Sequence, residues 1–187
     1  MGTSKNFASP DTPPWKFALA VLGRLDVPPE RQNREIWRSV EAERGPSAVN
    51  EFSHPALATA CRIASKSFDV QTSLNSYDEH LAEHRKSGFA VEIGRRALAR
   101  AIFSKQGSEG FARELFAEAT SYYASRDLPS FVGSSGRVKT TSAAIALKTN
   151  LKEVTRTIVQ SAGPPSVDPE GWGKFVGNVV RRLRGAR

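Results

Sequence analysis

The stretch Phe89-Ala90-Val91-Glu92-Ile93-Gly94-Arg95-Arg96-Ala97-Leu98-Ala99-Arg100-Ala101-Ile102-Phe103, running on to Gln106, decides the fold. Phe89, Ile93, Ala97 and Ala101 recur at helical spacing, and Val91, Leu98, Ile102 and Phe103 widen them into a broad apolar stripe. Such a face has to be buried, so a core helix is expected over 89–106. Gly107 is the expected stop, with Ser108 as cap of a following helix that carries Phe111, Leu115, Phe116, Ala119, Tyr122 and Tyr123.

The same periods extend outward in both directions. Upstream, Phe17 to Leu25 forms a short apolar helix, and Val27-Pro28-Pro29 ends it. Pro29 starts the next helix, which runs to about Glu43 with Ile36, Trp37 and Val40 on one face, until Gly45-Pro46 breaks it. A third helix begins at Ser53-His54-Pro55, with Ser53 as cap, and carries Leu57, Ala60, Cys61, Ala64 and Phe68. Residues 68–76 are ambiguous, and Tyr77 to Lys86 reads as an exposed polar helix ending at Ser87-Gly88. Downstream, Arg126 to Lys139 is a loop, because Pro129, Gly133 and Gly136 forbid a regular helix. Thr141 or Ser142 then caps a helix with Ile145, Leu147, Leu151, Val154, Ile158 and Val159 as buried candidates. After Gly163-Pro164-Pro165, Asp168-Pro169-Glu170 restarts a last helix holding Trp172, Phe175, Val176, Val179, Val180 and Leu183. With no internal repeat and no convincing strand, an all-α, irregular multi-helix domain is expected. Residues 1–13 form a flexible, proline-containing N-terminal tail and 14–187 a single helical domain, within which 14–45 can act as a semi-independent helical pair.

The 187-residue chain has the length of one ordinary domain with a single core. No run of about 18 apolar residues exists, so no membrane partner and a cytoplasmic location are expected. Lys and Arg number 27 against 19 Asp and Glu, a net charge of +8, which favours acidic partners, either nucleic acid or an acidic protein surface. A single cysteine, Cys61, excludes an intrachain disulfide and reads as a small buried hydrophobe, with a nucleophilic thiol as the alternative.

Few residues suggest chemistry. His80 and His84 stand one turn apart, but without a third ligand they read as a solvated face, and no metal is expected; His54, before a proline, is a turn residue. Gly133-Ser134-Ser135-Gly136-Arg137 can present backbone N–H groups and the Arg137 guanidinium to a phosphate, or simply connect two helices. Lys174, Arg181, Arg182, Arg184 and Arg187 make a basic end with no acid after Glu170, suited to a helix C-terminus or to phosphate contact. Arg85, Lys86, Arg95, Arg96 and Arg100 are a second basic group on adjacent helices. No Ser, His and Asp grouping has motif spacing and no carboxylate pair stands out, so a non-enzymatic protein without cofactor is expected.

The opening Met1-Gly2-Thr3-Ser4, its Ser, Pro and Asn-bearing continuation and Pro13-Pro14-Trp15 resemble the start of QatB proteins, components of the Qat anti-phage defence system. Gly94-Arg95-Arg96-Ala97-Leu98-Ala99-Arg100 in a basic helical body is compatible with that family. The resemblance implies a QueC-like partner enzyme, QatC, alongside an ATPase and a TatD-like nuclease. It further implies that Gly2, once Met1 is removed, accepts a 7-deazaguanine group. Gly2, Thr3, Ser4, Lys5, Asn6 and Phe7 would then enter the partner's cleft. The amine of a terminal glycine has a pKa of about 7.7–8.0, which leaves a neutral nucleophilic fraction, and ten extended residues reach roughly 33 Å. N-myristoylation also uses Gly2 but requires Ser or Thr where Asn6 stands. The expectation from another class is a small basic helical DNA- or RNA-binding protein.

Overall fold

A computed structural model describes residues 27–45, 47–66, 69–83, 88–125, 138 and 140–185. Among them the chain forms eight helices and no strand: α1 (Pro29–Arg44), α2 (Ser47–Phe52), α3 (Pro55–Lys66), α4 (Val70–Glu83), α5 (Phe89–Phe103), α6 (Gly107–Ser125), α7 (Thr141–Ser161) and α8 (Pro169–Leu183). The all-α, irregular arrangement is thus the one expected. The N-terminal tail, the 17–25 helix and nearly all of the 126–139 loop lie outside the described residues; Val138 is buried.

Helix α6 is the hub, packed chiefly on α5 and α7 and also on α3 and α1. Its inward side joins Trp37 of α1 and Phe52 of α2 in an aromatic cluster, with Phe52 stacked on Phe116 at 5.3 Å and Trp37 edge-on to Tyr123 at 5.7 Å. Ile36, Trp37 and Val40 therefore belong to the main core. At the other end Trp172 of α8 lies between Phe111 and Phe175. The polar edges of these rings are matched: Trp37 Nε1 donates to Thr120 Oγ1 at 2.9 Å and Trp172 Nε1 to the Phe52 carbonyl at 2.9 Å.

Small residues let the helices come close. Ala56, Ala60, Cys61 and Ala64 line the buried side of α3, and a Cβ on Gly94 of α5 would meet Leu57 Cδ2 at 2.4 Å and Tyr77 Oη at 2.9 Å. Glycine is therefore required there by contact with α3 and α4 rather than by its backbone angles.

The local readings fail at identifiable places. Helix α2 was not expected, and His54 rather than Ser53 caps α3, its Nδ1 accepting from the Ala56 N–H at 3.1 Å. The polar stretch after residue 68 is one helix from Val70, and Tyr77 is fully buried, donating to the Val91 carbonyl at 3.2 Å. Helix α5 stops at Phe103, three residues early, and Phe103 is 84% exposed. The stop is built by Gln106 N–H donating to Ala101 O at 2.9 Å and Lys105 N–H to Ile102 O at 3.0 Å, with Lys105 in the left-handed region at φ 54°. Gly107 follows at φ +60° and opens α6 itself, so Ser108 is not the cap. Thr140, not Thr141 or Ser142, caps α7 by accepting from Ala143 N–H at 3.1 Å.

Candidate functional site

Gly2, Thr3, Ser4, Lys5, Asn6, Phe7 and Arg137 lie outside the described residues, so the geometry concerns the basic end. Asp168 starts α8 as its cap, Oδ1 accepting from Gly171 N–H at 2.8 Å, and Pro169 occupies the first turn. Trp172, Phe175, Val176, Val179, Val180 and Leu183 are all buried, as expected, each worth about 1.5–3 kcal/mol in transfer terms. Burial of that stripe fixes the rotation of α8 and sends its basic residues outward.

Those residues have different fates. Lys174 Nζ pairs with Glu170 at 2.7 Å, both fully in solvent. Arg184 forms an ion pair with Glu41 of α1, and its backbone carbonyl accepts from Arg38 Nε at 3.2 Å. Arg184 is thus an anchor for the helix end. Among the described residues Arg181 and Arg182 bind neutral oxygens only: Arg181 Nη2 and Arg182 Nε donate to Asn178 Oδ1 at 3.0 and 3.3 Å, and Arg182 Nη1 to Ser161 Oγ at 3.3 Å. No described carboxylate pairs with either of them.

Docking of α8 on α1 adds two guanidinium groups that the linear reading missed. Gly185 turns with φ +70°, and a Cβ there would collide with Arg34 Nε at 2.3 Å, so Arg34 lies directly against the chain end. Arg38 sits beside it, paired to Glu35 at 3.3 Å. Arg31, Arg34 and Arg38, at spacings of three and four, were the available signal: they mark the polar face opposite Ile36, Trp37 and Val40.

In the second basic group Arg95 and Arg100 are ion-paired. Arg95 clamps Asp78 with contacts of 3.0, 3.1 and 3.0 Å, and this hydrogen-bonded charge pair holds its pKa above the ordinary value. Arg100 pairs with Glu118 and, at 3.5 Å, with Glu114. From α7, Arg156 grips Glu114 at 2.8 and 3.1 Å, and Lys152 reaches Glu118 at 2.7 Å. Burial, then the neighbouring guanidinium groups, lowers the Lys152 pKa despite that contact. Arg96 remains exposed, while Arg85 and Lys86 lie outside the described residues.

Cys61 is fully buried, and desolvation pushes its thiol up to about 12, which favours the small-hydrophobe reading over the nucleophilic one. His80 Nε2 lies 3.1 Å from Thr59 Oγ1, and the described residues contain no group of three or more potential metal ligands. No described helix is long and apolar enough to cross a membrane. Comparison of the chain with family models, with curated proteins and with solved structures finds no match.

Proposed function

We propose that this protein is a non-enzymatic, cytoplasmic component of an anti-phage defence system, binding a QueC-like enzyme and serving as its protein substrate. The amine of Gly2, after loss of Met1, is the acceptor of the deazaguanine group, and Thr3 to Phe7 are the segment the enzyme grips. The single observation that carries this reading is the resemblance of Met1-Gly2-Thr3-Ser4 through Pro13-Pro14-Trp15 to the start of QatB proteins. The sealed thiol of Cys61 and the ion-paired carboxylates Glu114 and Glu118 are consistent with a body that binds rather than catalyses. Ordering a tail in a cleft has an entropic cost, so the helical body supplies a second docking surface. The Qat ATPase and TatD-like nuclease are further partners under this reading.

Intact-mass measurement after co-expression with a QueC-like enzyme tests it. A mass increase confined to the N-terminal peptide and lost in Gly2→Pro is expected; an unmodified N-terminus beside an active enzyme overturns it.

A second reading, DNA or RNA binding, is favoured by one observation: at the α1–α8 end Arg34 joins Arg181 and Arg182, which have no carboxylate partner among the described residues. It predicts salt-dependent binding that Arg181→Glu with Arg182→Glu abolishes and Gly2 variants leave unchanged.

A further inference from the structure

Helices α3 and α4 border an open cleft of about 530 Å³ whose described lining residues carry only cations, hydroxyls, one imidazole and one apolar side chain. From α3, Thr59, Arg62 and Lys66 face it; from α4, Thr72, Ser76 and His80 do. The contact of His80 Nε2 with Thr59 Oγ1 at 3.1 Å ties one wall to the other. Ser73 also lines the cleft, but its hydroxyl is spent on the Asp69 carbonyl at 2.5 Å. Asp69 stands at the start of α4, where its carboxylate accepts from Thr72 N–H at 2.6 Å and from the Thr72 side chain. Among the described residues no carboxylate lines the cleft, and Arg62 and Lys66 have no ion-pair partner.

Arg62 and Lys66 stand four residues apart on one helix, a like-charge spacing that disfavours the helix unless something offsets it. Around α6 the opposite holds, since Arg100, Lys152 and Arg156 each meet a glutamate. The last-turn position of Lys66 is favourable for a cation in its own right. That position does not account for a guanidinium one turn earlier facing the same concavity, nor for the hydroxyls opposite.

We propose that this cleft binds a small phosphorylated sugar or polyol. A phosphate monoester carries up to two negative charges and three acceptor oxygens, which match one guanidinium, one ammonium and the nearby hydroxyl donors. On the far wall the Ser76 hydroxyl suits a hydroxyl of the carbon skeleton. Among the described lining residues Ile63 is the sole apolar one and none is aromatic, so they offer a nucleobase no stacking surface. A concave volume of this size fits a small molecule better than a polynucleotide backbone.

The test is a titration of the full chain with ribose 5-phosphate, followed by amide ¹H–¹⁵N spectra. Saturable shifts confined to α3 and α4 are expected, with weaker shifts of the same signals by inorganic phosphate and none by ribose or gluconate. Arg62→Gln combined with Lys66→Gln, at exposed positions, should keep the helical circular dichroism and weaken binding by about tenfold or more. Arg181→Gln with Arg182→Gln should leave binding unchanged. Absence of saturation, equal weakening by the Arg181/Arg182 pair, or tighter occupation of the same residues by gluconate or a short single-stranded RNA overturns the proposal.

Discussion

Helices α7 and α8 are neighbours with similarly apolar sequences, yet only one of them buries what its pattern promises. All six expected side chains of α8 are buried, whereas of the six expected on α7 only Leu151 and Val159 are. Ile145 is 55% exposed, and Leu147, Val154 and Ile158 are half-buried. The buried line of α7 is Ala144, Leu151, Thr155 and Val159, and its centre is a threonine. Thr155 Oγ1 lies 2.7 Å from Leu151 O, 3.0 Å from Thr120 Oγ1 and 3.3 Å from the Asn33 side chain, while Thr120 accepts from Trp37. A polar seam therefore joins α1, α6 and α7, and an apolar period cannot register a helix whose inward residue is chosen for a hydrogen bond.

The largest effect belongs to the apolar helix. Trp172→Ala removes a fully buried ring and leaves the Phe52 carbonyl without its donor; a loss of about 3–5 kcal/mol is expected in urea unfolding. A loss below about 1 kcal/mol would mean that the body does not depend on α8, and the contrast with α7 would collapse. Thr155→Val probes the polar helix at almost constant volume. It takes the hydroxyl away from buried Asn33 Oδ1, while Thr120 keeps Trp37 Nε1 and the Phe116 carbonyl, with an expected loss of about 1–3 kcal/mol. A neutral result would show the seam to be mere packing.

How much could be read in advance follows from the same distinction. Pro29, Gly45, the Asp168-Pro169 start, the α8 stripe and the α5 stripe as far as Ile102 are local signals, and each acts where it stands. Helix α2, six residues long, is too short to display a period. Tyr77 sits in a run of polar neighbours and becomes a core residue only because α5 offers the Val91 carbonyl. At the basic end, Arg181 and Arg182 were legible as charge, but the commitment of Arg184 to Glu41 and the arrival of Arg34 require α1 and α8 to dock. In the second basic group, too, charge was visible and its cancellation by Asp78, Glu114 and Glu118 was not.

The two helices also differ at their caps, and this gives the finer tests. Thr140→Ala removes a neutral acceptor from Ala143 N–H and should cost about 1 kcal/mol. Because no ionisation is involved, the loss should be the same at pH 5 and pH 3.

Asp168 performs the same task for α8 with a charge. Hydrogen bonds from Ser166 and then from Gly171 N–H hold its carboxyl below its ordinary value of 3.8. The folded state therefore releases this proton more readily than the unfolded chain, and stability rises with pH where the unfolded state binds more protons. The contribution is complete above the ordinary value and disappears as pH falls through the depressed one. In Asp168→Asn the side-chain oxygen can still cap but cannot titrate, so the fall in Tm below pH 4 should be shallower than in the parent chain. It should not vanish, because Asp69, lowered by its bonds to the Thr72 side chain and N–H, loses its contribution over the same range. An acid limb identical in both proteins would show that the cap of α8 is as insensitive to charge as that of α7. Full exposure of the carboxylate makes this the smallest of the four effects, and scanning from pH 5 to pH 2 at low ionic strength is the condition under which it is most readily resolved.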